Sequence, residues 1–211
     1  MWKQKNAAML AAMNTHFGPE GTSLTTRAAD DLPRRRWTVA EIDAMMQAGV
    51  IYEDERFELI DGDVVPMASK GIRHESYKAS LLSFWMKAAS DAYRLIPETT
   101  FRLGDSTFLE PDILFYDGKS KIADLSPPTS MLAVELADTT LAYDRGRKAM
   151  IYARHGVPAL WVINVNTLQT HVYADPSPDG YLNMRTLGPG EALTPSFAPE
   201  LAVKLGELPE F

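Results

Sequence analysis

The sequence predicts an α/β domain in which a mixed β-sheet core is flanked by helices and preceded by an N-terminal β-hairpin. Strand-like runs at 98–103, 111–116 and 131–136 follow one helical pattern, and a second helical pattern leads into an apolar run at 159–165. The core order is therefore helix, three strands, helix, strand. A helix that joins strand 131–136 to strand 159–165 is a crossover, which makes that pair parallel. The first two strands are joined too briefly for a crossover and are expected to be antiparallel.

The composition is that of a single globular domain. The chain has 211 residues, of which 45% are hydrophobic and 23% charged, and its net charge is −7. The absence of cysteine excludes a disulfide framework, cysteine-ligated zinc and a thiol nucleophile, and it is typical of a reducing compartment, so we expect a cytoplasmic protein. No apolar run approaches the roughly 20 residues that span a membrane, so no membrane partner is expected. The acidity argues against a DNA-coating protein but allows an enzyme that holds a metal ion through carboxylates.

The N-terminal part of the sequence contains a predicted arm and the start of the domain. Residues 1–33 are expected to form a helical or disordered arm, and residues 34–211 to form the domain. Thr38 and Glu41 have the spacing of a capping box, which predicts a short helix that ends at Gly49. Three side chains of this helix are expected to face inward: Ile42, Met45 and Met46.

A β-hairpin and a long helix come next. Two alternating runs, 56–60 and 63–67, surround Asp61-Gly62, which is a strong signal for a two-residue hairpin turn. Pro66 places the second run on a sheet edge, because proline cannot donate to a neighbouring strand. The region 74–90 is predicted to be helical, because apolar residues recur at helical spacing. These residues are Tyr77, Leu81, Phe84, Trp85 and Ala88.

The C-terminal half contains a second helix and the remaining strands. The region 140–155 is predicted to be a helix that ends at Gly156, with Pro158 beyond it. The run 159–165 is almost entirely apolar and is therefore expected at the centre of the sheet. A further strand is expected at 181–187.

Three acidic residues lie within a predicted strand or at its start, namely Glu58, Asp112 and Glu135, and a fourth, Asp144, begins the next helix. Asp112 and Glu135 belong to neighbouring segments of one sheet, so both could face one point, and paired carboxylates suit Mg²⁺ or Mn²⁺. A structural alternative stays open for three of them. Glu135 could face outward, Asp112 could brace the turn before its strand, and Glu58 could be a solvent-facing strand residue.

The second helix supplies a lysine that complements these carboxylates. Asp144, Lys148 and Tyr152 are spaced by four and share one face, although Asp followed by Lys at this spacing is also an ordinary stabilising pair. The helix follows directly from the strand of Glu135, so Lys148 is expected to approach the carboxylates, where it could hold an attacking water or stabilise charge that develops on a phosphate. His74, at the start of the first long helix, has two interpretations: a metal ligand or phosphate contact, and a purely structural residue.

Several short motifs, taken together in chain order, indicate a resemblance to a known protein family. In chain order they are Phe57-Glu58-Leu59-Ile60-Asp61-Gly62, His74, Glu110-Pro111-Asp112-Ile113, Val134-Glu135-Leu136, Asp144-Arg145-Gly146-Arg147-Lys148, Tyr152-Ala153, Gly156-Val157-Pro158 and Leu160-Trp161-Val162-Ile163. Over about residues 37–175 the chain resembles the Uma-two family of bacterial restriction-endonuclease-like proteins. This family lies within the PD-(D/E)XK nuclease superfamily.

The resemblance implies a restriction-endonuclease-like fold and an endonuclease that hydrolyses phosphodiester bonds of DNA with Mg²⁺ or Mn²⁺. Asp112 and Glu135 would be catalytic and bind the metal, and Glu58 would be a further ligand. The lysine of the superfamily motif would stand at position 137, where this chain has Ala137, and Lys148 is the natural replacement. Supporting roles fall to His74, Asp144 and Tyr152. The implied partners are DNA, bound transiently, and a second copy in a homodimer.

A binding or dimerisation module without catalytic activity is the alternative function. The missing lysine at position 137 and the net charge of −7 motivate it. Against it, basic residues gather on the helix that carries the proposed catalytic lysine, which fits an enzyme that contacts DNA briefly. These residues are Arg145, Arg147, Lys148 and Arg154. A nuclease that acts on RNA or on a branched structure is a third alternative.

Overall fold

The computed structural model describes residues 35–52, 54–88 and 90–209. The arm expected at 1–33 lies outside these residues. The first described helix, α1 (Val39–Gln47), has the capping box that the sequence predicts, with Thr38 and Glu41 bonding each other's backbone N–H groups. Ile42 is buried as expected, but the expectation for Met46 is wrong, since its side chain is exposed. A short helix on the outside of a small sheet buries only a narrow stripe.

The hairpin is confirmed and belongs to a four-stranded sheet of its own. Strands β1 (Phe57–Ile60) and β2 (Asp63–Pro66) are antiparallel, and the turn residues Asp61 and Gly62 have φ of +53° and +85°, as a type I′ turn requires. The sheet order is β2-β1-β5-β4, where β4 is Phe101–Gly104 and β5 is Thr107–Leu109. Strand β2 with its proline therefore lies on an edge, as predicted.

The main sheet has six strands in the order β10-β9-β8-β7-β6-β3. They are β3 (Tyr93–Pro97), β6 (Ile113–Asp117), β7 (Ser130–Ala137), β8 (Ala159–Asn164), β9 (Thr170–Ser177) and β10 (Gly180–Leu187). The β7–β8 pair is parallel and every other pair of this sheet is antiparallel, which confirms the predicted mixed sheet. Strand β8 lies inside the sheet and is largely buried, as its apolar run predicts.

The expected strand at 98–103 is wrong in its bounds. The first strand of the main sheet is instead β3, and the following residues are divided between a connection and β4 in the smaller sheet. The reason is local. Pro97 lacks a backbone N–H, and Glu98 has a φ of +47°, so a continuous strand cannot pass through this point.

Two long helices cover the main sheet. Helix α2 (Ile72–Trp85) begins earlier and ends earlier than expected for the region 74–90, and Phe84, expected on its apolar face, is exposed. The second, α3, is a continuous helix of three segments: α-helical Leu141–Tyr143, π-helical Asp144–Lys148 and α-helical Ala149–Arg154. Gly156, with a φ of +78°, follows it as predicted. No helix within the described ranges is long and apolar enough to cross a membrane.

The alternation of side chains along the strands separates two core layers. One layer packs α2 and the C-terminal segment against residues such as Phe115 and Trp161. The other packs α3 and the smaller sheet against the opposite face of the main sheet, and it includes Ile60, Leu114 and Ala133. Because side chains alternate with a period of two, a residue two positions along the strand from Ile60, Leu114 or Ala133 faces the same layer as that residue. This rule fixes where the acidic residues lie.

Candidate active site

Three carboxylates enter the layer between the two sheets and α3. Glu58 stands two residues before Ile60 on β1, Asp112 two residues before Leu114, and Glu135 two residues after Ala133 on β7. All three residues are buried, with exposed fractions of 3% for Glu58, 4% for Asp112 and 4% for Glu135. The alternatives that placed Glu58 and Glu135 in solvent are therefore wrong. Carboxylates at this depth need a cation or hydrogen bonds to be tolerated.

Lys148 lies between two of these carboxylates. Its Nζ is 2.8 Å from Oε1 of Glu58 and 3.0 Å from Oε1 of Glu135, and its side chain is 6% exposed. The Tyr152 hydroxyl donates to the same oxygen of Glu135 at 2.7 Å. Lys148 therefore reaches the carboxylates as predicted, and Tyr152, which shares its helix face, contacts one of them as well. The π-helical turn ends at Lys148, and such turns often occur at functional sites.

Asp112 is held from two sides. Its Oδ1 lies 2.8 Å from Nζ of Lys70 and 3.0 Å from Nε2 of His74. Its Oδ2 accepts the backbone N–H of Leu136 at 2.8 Å, which ties Asp112 to the strand of Glu135. Burial alone would raise the pKa of Asp112, but the hydrogen bond and charge of His74, together with Lys70, outweigh burial and lower it to about 2. Asp112 is therefore an anion at neutral pH.

Glu135 has the opposite electrostatic environment. Burial is the largest cause that raises its pKa, and the charges of Asp112, Asp144 and Glu58 add to it. Lys148 opposes them, and the resulting pKa is raised to about 8. The pKa of Lys148 itself is raised well above its usual value, because the surrounding carboxylates outweigh its burial. Burial and the neighbouring carboxylates therefore favour the protonated form of Glu135.

The remaining predicted residues surround this cluster. Asp144 is buried at the start of the π-helical turn and accepts the hydroxyl of Thr140. Burial is the main cause that raises its pKa. The other basic residues of α3 point away: Arg145 and Arg147 are exposed, and Arg154 pairs with Asp61 at the hairpin turn. Lys148 is thus the cation of α3 that reaches the carboxylates.

The donor set suits a hard divalent cation. Its oxygen atoms come from carboxylates that are buried and that repel one another, which is the environment that Mg²⁺ and Mn²⁺ favour. Among the described residues, however, no three His, Asp or Glu side chains are grouped closely enough to bind one ion directly. Lys148 stands between Glu58 and Glu135, and Lys70 occupies Oδ1 of Asp112. A metal ion would therefore take the place of ammonium groups.

Comparison with known proteins gives the family. The Uma2 family, described as “Putative restriction endonuclease”, matches residues 40–206. The chain belongs to the Uma2 family. No curated protein matches the sequence.

A solved structure supports the fold of this Uma2 member. Five chains of solved structures match, and one is a crystal structure from Anabaena variabilis described as “a putative nuclease belonging to DUF820”. The two share 16% sequence identity with a TM-score of 0.60, and the match covers 76% of this chain and 93% of that one. Together with the mixed sheet and its crossover, this likeness confirms the restriction-endonuclease-like fold.

Sequence reasoning missed several charged residues beside the Uma2 carboxylates. They are Arg56, Lys70, Lys78, Glu98 and Glu110. A signal was present for Lys78, because His74 and Lys78 are spaced by four on α2, as are Lys148 and Tyr152 on α3. The residues missed on the loops carry no such spacing.

Proposed function

We propose that the protein is a metal-dependent nuclease that hydrolyses phosphodiester bonds of DNA at the cluster of Glu58, Asp112, Glu135 and Lys148. One observation carries the proposal. Two strand carboxylates, Glu58 and Glu135, share the Lys148 ammonium in a buried layer, and Asp112 is buried beside the strand of Glu135. Such an arrangement is costly for stability, because buried charges lose their hydration, and it is typical of sites that bind a cation or substrate. Membership of the Uma2 family supports the reaction class.

Each residue has a defined part in the proposed reaction. Asp112 and Glu135 would hold a Mg²⁺ or Mn²⁺ ion, with Glu58 as a further oxygen donor. The bound ion supplies neutralisation of phosphate charge and activation of water. His74 and the backbone N–H of Leu136 orient Asp112 through the hydrogen bonds described above.

Lys148 takes the part that the missing motif lysine would have. Ala137 is fully buried and has no polar side chain to offer, while Lys148 reaches Glu135 from α3. Its ammonium lies beside Glu58 and Glu135 before substrate binds, and once a metal ion takes its place at these carboxylates it can stabilise negative charge that develops on the phosphate. Tyr152 fixes the neighbouring carboxylate through its hydroxyl.

The test is cleavage of supercoiled plasmid and of oligonucleotide duplexes with Mg²⁺ or Mn²⁺. Wild type is compared with Asp112→Asn and Lys148→Met, and Arg147→Met is the matched control, because Arg147 is an exposed cation on the same helix. We expect metal-dependent cleavage by wild type and the control, and none by the two site variants. Absence of cleavage by folded wild type, or equal cleavage by all four proteins, would refute the proposal.

A binding module without activity is the second candidate, and one observation favours it. The carboxylates already have protein cations as partners, and the described His, Asp and Glu side chains form no ready metal group. Titration calorimetry separates the two functions. Binding of Mn²⁺ that is lost in Glu135→Gln supports the nuclease, whereas folded wild type that binds neither Mn²⁺ nor Mg²⁺ supports the module.

A further inference from the structure

A second charged cluster borders the carboxylates on the side of α2. Lys70, Lys78 and Arg56 converge on one carboxylate oxygen, Oε1 of Glu98, with Nζ of Lys78 at 2.8 Å and the guanidinium of Arg56 at 3.9 Å. Lys70 also lies 2.8 Å from Oδ1 of Asp112. The cluster is therefore continuous with the proposed catalytic site.

Lys70 and Lys78 are largely buried, whereas their shared partner Glu98 is more exposed. The side chains of Lys70 and Lys78 are 11% and 9% exposed, and that of Glu98 is 37% exposed. Glu98 is therefore an accessible group that an external anion could replace at these cations, while Lys78 keeps Glu75 and Arg56 keeps Glu110 as a second partner.

Glu98 stands in a connection rather than in a strand. It follows Pro97 at the end of β3 and precedes β4, and its φ of +47° is rare for a residue with a side chain. Its side chain can therefore leave the lysines without breaking the pairing of either sheet. Lys78, by contrast, is fixed on α2 and stays in place.

We propose that Lys70, Lys78 and Arg56 bind a backbone phosphate of the DNA next to the cleaved bond, and that Glu98 fills this position in the free protein. The inference rests on the proposed function and adds the residues that bind its substrate. Ammonium and guanidinium groups are the usual protein partners of phosphate. Successive phosphates of one strand are only about 3.4 Å apart along the duplex axis, so a phosphate at the carboxylates has a neighbour close to Lys70.

If a DNA phosphate replaces the Glu98 carboxylate, substitution of Glu98 should change DNA binding in the opposite direction to substitution of a lysine. DNA must displace its carboxylate, so Glu98 competes with the substrate for the same cations. Removing its charge should therefore strengthen binding, whereas removing a lysine should weaken it. A salt bridge that only stabilised the fold would weaken or leave unchanged the binding in both cases.

The experiment measures binding of a short fluorescein-labelled DNA duplex by anisotropy over a series of salt concentrations, in EDTA so that no cleavage occurs. The variants are Glu98→Gln, which keeps the shape of the side chain, and Lys70→Met, which keeps most of the stem. Lys87→Met is the matched control, because Lys87 is exposed beyond the opposite end of α2, about 21 Å along the helix axis. Thermal unfolding verifies that each variant folds.

We expect Lys70→Met to weaken binding about tenfold and to reduce the salt slope by about one, as the loss of one phosphate contact does. Glu98→Gln should tighten binding about fivefold, since it removes a partly exposed competing ion pair. The control should change neither. Binding by folded Glu98→Gln that is unchanged or weaker than wild type would overturn the inference, and so would equal effects of Lys70→Met and Lys87→Met.

The binding assay is independent of the proposed reaction. Binding that responds to Lys70 and Glu98 as predicted, in a protein that never cleaves DNA, supports this site and refutes the nuclease. If the protein cleaves DNA with metal but Lys70→Met and Glu98→Gln leave DNA binding unchanged, the phosphate site is refuted and the nuclease is supported.

Discussion

Replacement of Glu135 by glutamine should separate stability from function. The folded protein raises the pKa of this carboxyl from its ordinary 4.5 to about 8, first through burial and then through the charges of Asp112, Asp144 and Glu58. Between these two pH values the unfolded chain releases a proton that the folded chain keeps. Stability of the wild type is therefore lost progressively as the pH rises from 4.5 towards 8.

The size of the effect follows from the same two values. Each pH unit between the folded and unfolded pKa corresponds to about 1.36 kcal/mol, so the loss is a few kcal/mol and at most about 5 kcal/mol. Glutamine is neutral throughout and can still accept the Tyr152 hydroxyl. We therefore expect Glu135→Gln to gain stability relative to wild type as the pH rises from 5 to 8, although it abolishes metal binding.

Urea unfolding in EDTA at several pH values between 5 and 8 measures this difference. Glu207→Gln is the control, because Glu207 is an exposed carboxylate paired with Lys204, and no comparable gain in stability is expected from it. Addition of Mn²⁺ should then stabilise wild type but not Glu135→Gln, since a ligand stabilises only the form that binds it. A difference between Glu135→Gln and wild type that is independent of pH, or that shrinks as the pH rises, would refute the electrostatic reasoning.

Three further substitutions test the fold and the site. Lys148→Met leaves two buried carboxylates without their shared cation and should cost about 3–5 kcal/mol of unfolding free energy in urea, whereas the exposed Lys204→Met should change it by less than about 1 kcal/mol. Gly62→Ala should reduce thermal stability more than Gly49→Ala; both positions have positive φ, but a Cβ at Gly62 would lie 2.9 Å from the backbone N of Trp37, while Gly49 has open space. Thr38→Ala removes the cap of α1 and should cost about 1 kcal/mol in the same measurement, and no change would contradict the capping role.

Local signals predicted the elements whose geometry depends on a few adjacent residues. Asp61-Gly62 specified the hairpin, because its turn needs two residues that accept positive φ. The length of the helical region after Glu135 specified a parallel neighbour, because a crossover has only one practical geometry in a sheet. The strand at 98–103 failed because the positive φ of Glu98 is not predicted by its residue type, although Pro97 before it was a local signal for a strand end.

The site was predicted where periodicity defined it and missed where contacts are long-range. Lys148 and Tyr152 could be placed together because α-helical spacing is fixed by local geometry. The bridge from Lys70 to Glu98 joins residues 28 positions apart, and it depends on how β3, α2 and the connection meet in three dimensions. Such pairing cannot be read from one sequence, since many charged residues are available as partners.

The most direct test of the central claim is an anomalous-difference map from crystals soaked in Mn²⁺. The claim is that the buried carboxylates of Glu58, Asp112 and Glu135 form a metal site from which Lys148 and Lys70 are displaced. We expect one strong peak in contact with Asp112 and Glu135, and no peak there in crystals of Glu135→Gln. A map of the wild type without a peak at these carboxylates, with both ammonium groups still in contact with them, would contradict it.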